Sequence, residues 1–94
     1  FNTALGQNTL VSNTTASNNT AVGNQALFSN TTGSNNIAVG VDALFSNVTG
    51  SNVTAVGYNA LLNNTASDNT AVGARALDAN TTGTGNVAIG QDAL

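Results

Sequence analysis

The sequence predicts an all-β fold, a β-solenoid or β-roll with coils of about 17 residues. Three observations carry that expectation. Three separate markers repeat with one short period, each unit holds two turn signals, and the composition suits stacked strands better than helices.

The period comes first. Ala-Val-Gly or a close variant recurs at Ala4-Leu5-Gly6, Ala21-Val22-Gly23, Ala38-Val39-Gly40, Ala55-Val56-Gly57, Ala71-Val72-Gly73 and Ala88-Ile89-Gly90, in steps of 17, 17, 17, 16 and 17. Ala-Leu recurs at Ala26-Leu27, Ala43-Leu44, Ala60-Leu61, Ala76-Leu77 and Ala93-Leu94, with Thr9-Leu10 in the first copy. Asn-x-Thr recurs at Asn13/Thr15, Asn30/Thr32, Asn47/Thr49, Asn63/Thr65 and Asn80/Thr82. In this register the short fourth copy lacks the residue equivalent to Ser12, Ser29, Ser46 and Ala79. The chain reads as a single array with units near 4–20, 21–37, 38–54, 55–70, 71–87 and a partial 88–94. Both ends fall inside a unit, as expected of an excerpt from a longer chain.

A period this short excludes the helical-pair repeats, which need about 33 residues or more. Asn, Thr, Gly and β-branched residues are poor helix formers. The first strand of each coil is expected at Thr20-Ala21-Val22 and its equivalents. Gly23 and two variable residues then signal a turn. A second strand is expected from about residue 26 to 31. Gly33-Ser34-Asn35 signals the second turn, although Ala16 and Ala66 take the glycine's place in two copies. Stacking such coils at the strand spacing of about 4.8 Å lines identical residues into ladders. The ladder Val22, Val39, Val56, Val72, Ile89 and the ladder Leu10, Leu27, Leu44, Leu61, Leu77, Leu94 are expected inside. By alternation, Thr20, Ile37, Thr54, Thr70 and Val87 share the valine face, and Ala21, Ala38, Ala55, Ala71 and Ala88 face outward. One or two apolar side chains per strand give a thin core, so an oligomer, or a long fibre with both ends capped elsewhere, is expected.

The segments Asn19–Gly23, Asn36–Gly40, Asn69–Gly73 and Asn86–Gly90 resemble the head repeats of trimeric autotransporter adhesins. They are also similar to repeats of phage tail fibres that precede an endosialidase-type chaperone domain. The resemblance spans essentially the whole chain. It implies a homotrimer of left-handed β-rolls on a bacterial or virion surface, binding host matrix, cells or glycans. The adhesin unit is usually shorter and lacks the Ala-Leu-Phe-Ser-Asn-Thr-Thr insert found here.

Composition narrows the function. Only Asp42, Asp68, Arg75, Asp78 and Asp92 are charged, for a net −3. No basic patch exists to hold nucleic acid. Without Cys, His or Lys there are no disulfides, no thiolate or imidazole metal ligands, and none of the commonest general bases. No enzyme activity, cofactor or metal is expected. Asp42 and Asp92 share a repeat position with Asn8, Gln25, Asn59 and Arg75, so they form no fixed acid pair. Gly23-x-x-Ala-Leu lacks the ending of a phosphate loop. No apolar run approaches the roughly 20 residues of a membrane helix, so this segment is not expected to insert in a membrane.

Two features remain as candidate sites. The Asn-x-Thr ladder offers an N-glycosylation acceptor once per coil, with two more at Asn18 and Asn52. It also reads as plain turn and ladder chemistry, or as a flat array similar to those of ice-binding solenoids. Phe28, Phe45 and Leu62, with Val11, share the position after Ala-Leu and are expected in inter-chain contact, with an adhesive apolar patch as the other reading. The functional expectation is a structural or adhesive segment of an extracellular or virion-surface fibre. The alternative is a flat-surface recognition solenoid, such as an ice-binding one.

Overall fold

A computed structural model describes residues 1–94 as a β-solenoid with no helix. Six three-residue strands, β1 (Thr3–Leu5), β2 (Thr20–Val22), β3 (Ile37–Val39), β4 (Thr54–Val56), β5 (Thr70–Val72) and β6 (Val87–Ile89), form one parallel sheet in chain order. Ala4, Ala21, Ala38, Ala55, Ala71 and Ala88 stand in register across it. Six strands at about 4.8 Å make a column about 24 Å tall between the outer strands. The molecule measures 30 × 23 × 16 Å.

The faces of that sheet reverse the expectation. Ala21, Ala38, Ala55 and Ala71 are fully buried, while Val22, Val39 and Val56 are only partly covered and Val72 and Ile89 are exposed. The reason is room. Each coil must close in 16 or 17 residues, so opposite walls approach closely and only alanine fits behind the strand. The leucine ladder is inside as expected over its middle, with Leu10 and Leu77 partly buried and Leu94 exposed. Leu27, Leu44 and Leu61 are fully buried and pack with Ala26, Ala43, Ala60 and Ala76. Burial of each leucine contributes roughly 1.5–3 kcal/mol.

The second predicted strand, near residues 26–31, is a pair of turns. Ala26 N–H donates to Gly23 O and Asn30 N–H to Leu27 O, closing two turns in succession. Gln25 at φ 59° and Leu27 at φ 51° alternate with neighbours at negative φ, so the segment is turn and not strand. It still stacks: Leu27 N–H reaches Ala43 O at 3.0 Å and Ser29 N–H reaches Phe45 O at 3.1 Å. Backbone pairing therefore runs up this wall without strand geometry.

Gly23, Gly40, Gly57 and Gly73 lie at φ 126–135°. A Cβ at Gly40 would stand 2.5 Å from Gly57 O. Both facts demand glycine where the strand enters the turn.

The missing residue of the fourth coil is not at the Ser46 position. Asn63 N–H donates to Asp78 O as Ser46 N–H donates to Leu62 O and Ser29 N–H to Phe45 O. Asn63 is thus the equivalent of Ser46. Asn64 is the equivalent of Asn47, and Thr65 that of Val48. The deletion falls between Thr65 and Ala66, where other coils carry Thr15, Thr32, Thr49 and Thr82.

Candidate functional surface

The asparagines of the Asn-x-Thr marker point inward. Asn30, Asn47 and Asn64 are fully buried, and Asn13 and Asn80 are partly buried. Asn63, placed in this ladder by sequence, is exposed on the outside, and Asn64 takes its place. Thr15, Thr32, Thr49, Thr65 and Thr82 are all exposed. Thr65 falls in a different column, that of Thr14, Thr31 and Thr81, because of the deletion. Asparagine and threonine two residues apart do not share a face here, since the segment is turn and not strand.

A second asparagine column, missed by the sequence reading, runs beside the first. It consists of Asn2, Asn19, Asn36, Asn69 and Asn86, the residue that opens each Asn-Thr-Ala-Val-Gly motif. The two columns clasp one carbonyl in each of four coils. Gly33 O accepts from Asn19 Nδ2 and Asn30 Nδ2, both at 2.9 Å. Gly50 O accepts from Asn36 at 2.8 Å and Asn47 at 2.9 Å. Gly83 O and Ala16 O are held the same way by Asn69 with Asn80 and by Asn2 with Asn13. The Oδ1 atoms of Asn2, Asn19, Asn36 and Asn69 then accept the backbone N–H of the next coil, as Asn19 Oδ1 does from Asn36 N at 2.9 Å. The side-chain amides stand in for peptide groups at the corner where the sheet has ended. Recurrence of Asn19, Asn36, Asn69 and Asn86 at one repeat position was the available sequence signal.

This geometry corrects the glycan reading of Asn30 and Asn47. Their Nδ2 atoms are buried and each donates two hydrogen bonds, to Gly33 O and Asn13 Oδ1 and to Gly50 O and Asn30 Oδ1. A glycan cannot be attached there in the folded coil. Of the acceptor triplets, Asn18, Asn52 and Asn63 carry exposed side chains.

The outward strand face is a regular surface. One column holds Thr3, Thr20, Ile37, Thr54, Thr70 and Val87; the other holds Leu5, Val22, Val39, Val56, Val72 and Ile89. Ile37 is 43 % exposed, Val87 72 % and Ile89 73 %. All five charged residues lie in turns or bends, so this face carries no charge.

Phe28 and Phe45 are half-buried on the turn wall, their rings stacked at 5.0 Å and 5°. Leu62 continues the column. At the corner after each strand, Arg75 pairs with Asp92 through Nε–Oδ1 at 2.6 Å and an Nη2–Oδ2 contact at 2.9 Å. Those hydrogen bonds hold the Asp92 carboxyl below its ordinary value and raise the Arg75 guanidinium above its own. Asp42 and Asn59, at the same corner, each bury an unpartnered Oδ1. One carboxylate and one amide fall short of the six to eight oxygens calcium takes. The surface has no cavity, so recognition by this chain would use an open face. No protein family, characterised protein or solved structure matches the chain.

Proposed function

We propose that this chain is a structural, adhesive segment of a surface fibre, and that copies associate through the Thr-x-Val face into a homotrimer or a bundle. The observation behind this reading is the inverted sheet. Alanine faces in, while the larger Val, Ile and Leu side chains face out in a regular uncharged strip. Contiguous exposed apolar patches larger than a few hundred Å² mark contact surfaces. At about 10 Å wide and about 24 Å tall, six coils supply about 240 Å² of strip, and a longer array passes that size. Every added coil extends the strip equally, so association strengthens with array length. The role is non-catalytic, and the setting is a cell or virion surface where host or glycan ligands meet the fibre. Phe28, Phe45 and Leu62, on the turn wall, are left for lateral contacts. Glycans on this fibre would attach at Asn18, Asn52 and Asn63, and intact-mass analysis of natively expressed protein reads their presence directly.

Native mass spectrometry tests the assembly. The chain should give multiples of its 9.2 kDa mass. Val39→Asp with Val56→Asp should give a folded monomer, since both changes point outward. Monomers for the parent chain at all concentrations would refute the reading.

The same face supports one second reading. Thr3, Thr20, Thr54 and Thr70 recur at coil spacing on one sheet face, a surface that could order water or ice. Here the Thr-x-Val columns replace the Asn-x-Thr pairs, whose asparagines Asn30 and Asn47 are buried. Thermal hysteresis from a monomer would favour it over assembly.

A further inference from the structure

The boundary between the third coil (38–54) and the fourth (55–70) lacks contacts that the other boundaries have. Asn30 Nδ2 donates to Asn13 Oδ1 at 3.1 Å, Asn47 Nδ2 to Asn30 Oδ1 at 3.0 Å, and Asn80 Nδ2 to Asn64 Oδ1 at 2.8 Å. The corresponding bond from Asn64 to Asn47 is absent. With the turn one residue shorter, Asn64 Nδ2 keeps only the bond to Ala66 O at 2.7 Å, the counterpart of Asn47 to Gly50 O, two residues ahead in place of three. Asn47 Oδ1 is left buried with no donor.

The second asparagine column fails at the same place. Val53 occupies the position of Asn19, Asn36, Asn69 and Asn86, fully buried. It cannot clasp the Ala66 carbonyl, which keeps Asn64 as its one amide donor. It also offers no Oδ1 to the next coil. The N–H groups of Asn19, Asn36, Val53 and Asn86 all donate to a preceding asparagine oxygen. Asn69 N–H, facing Val53, has no such acceptor. The threonine column is interrupted too. Thr14, Thr31 and Thr65 each send a hydroxyl to the carbonyl of the next coil, while Val48 has none to send. What still joins the two coils is the sheet, the leucine wall and the outer Ser51–Ser67 and Asn52–Asp68 contacts.

We propose that this boundary is a built-in parting point, so that the array opens as two blocks, coils one to three and coils four to six. In a solenoid each coil touches only its neighbours, so one weak boundary sets where cooperativity breaks. Buried donors and acceptors left unpaired weaken a contact more than paired ones strengthen it. The shortened turn and Val53 belong together. The shortened turn leaves Asn64 without its bond to Asn47, and Val53 removes the second amide that holds the matching carbonyl in the other coils. A fibre built this way yields first at a set coil, whether or not copies associate through the strand face.

Amide hydrogen exchange on the 94-residue chain in its native assembly tests this. Frayed ends make a uniform array most protected at its centre. Here the centre should be a minimum. The amides that bridge the boundary (Leu44, Ser46, Gly57 and Asn59) should exchange about tenfold faster than their counterparts Leu27, Ser29, Gly40 and Asp42, and faster than Leu61, Asn63, Gly73 and Arg75. A protection maximum at the central boundary overturns the proposal without any variant. Restoring the pattern, with Val53→Asn and a threonine inserted between Thr65 and Ala66, should remove the minimum. Moving the defect, with Asn36→Val and deletion of Thr49, should create a second minimum at Leu27, Ser29, Gly40 and Asp42. A minimum that ignores both changes would overturn the assignment to these residues.

Discussion

In each of the first five coils a leucine sits at positive φ, between 49° and 56°. Left-handed backbone costs a branched residue about 1–2 kcal/mol. Leu27, Leu44 and Leu61 tolerate it because burial and the N–H bond to the next coil offset the strain. Leu44→Ala keeps the strain and loses the burial, so urea unfolding should show a loss of about 2–5 kcal/mol. The asparagine columns follow a different logic. Asn30→Ala leaves the Gly33 carbonyl with one donor and Asn47 Nδ2 with only one of its two acceptors, and should cost about 1–3 kcal/mol in the same measurement. The mirror substitution of Thr32, exposed two residues on, should fall within about 0.5 kcal/mol of zero. At the surface, Asp92 has a folded pKa lowered by the Arg75 hydrogen bonds. Its small contribution is therefore present above the ordinary carboxylate value of 3.8 and is lost as pH falls through the lower, folded value. In NMR titration the Asp92 midpoint should lie below 3.8 and return toward it in Arg75→Gln. Residue identity was legible in the sequence, but side-chain direction was not. Asn-x-Thr looks like a strand pair on one face, and only the turn geometry separates buried Asn30 from exposed Thr32.

At the scale of the coil, the repeat marked one strand and both corners correctly. Thr20-Ala21-Val22 and its equivalents form the sheet, and Gly23 turns the chain at φ 126°. The wall near residues 26–31 misled because coil-to-coil hydrogen bonding can be met by backbone of alternating positive and negative φ as well as by extended strand. Nothing in Ala26-Leu27-Phe28-Ser29 announces a leucine at φ 51°. The alanine ladder misled for a geometric reason. Polarity ranks valine as the better core residue, but the width of a 17-residue coil admits only alanine behind the strand. Ala55→Val should therefore destabilise by overpacking, by about 1–3 kcal/mol, while Val56→Thr on the outer face should cost the isolated coil little. Gly40→Ala meets both a φ of 131° and the Gly57 carbonyl, and should lose about 3 kcal/mol or more in denaturant unfolding.

At the scale of the whole molecule, the period alone gave a single stacked array, because no other arrangement lets six copies share one register. The placement of the deletion required the hydrogen bonds of Asn63 and Asn64, since Asn63-Asn64-Thr65 satisfies the marker in either register. The proposed assembly rests on the inverted sheet, in which Leu5, Ile37, Val87 and Ile89 stand exposed in two straight columns. Cysteine trapping reads that contact even where association is weak. The chain has no cysteine of its own, so a single Val56→Cys reports only its own face. Under mild oxidation it should yield disulfide-linked pairs of the 9.2 kDa chain, and Ser51→Cys, on a different corner, should not. Equal linking from both positions, or none from Val56→Cys, would contradict assembly through the Thr-x-Val face.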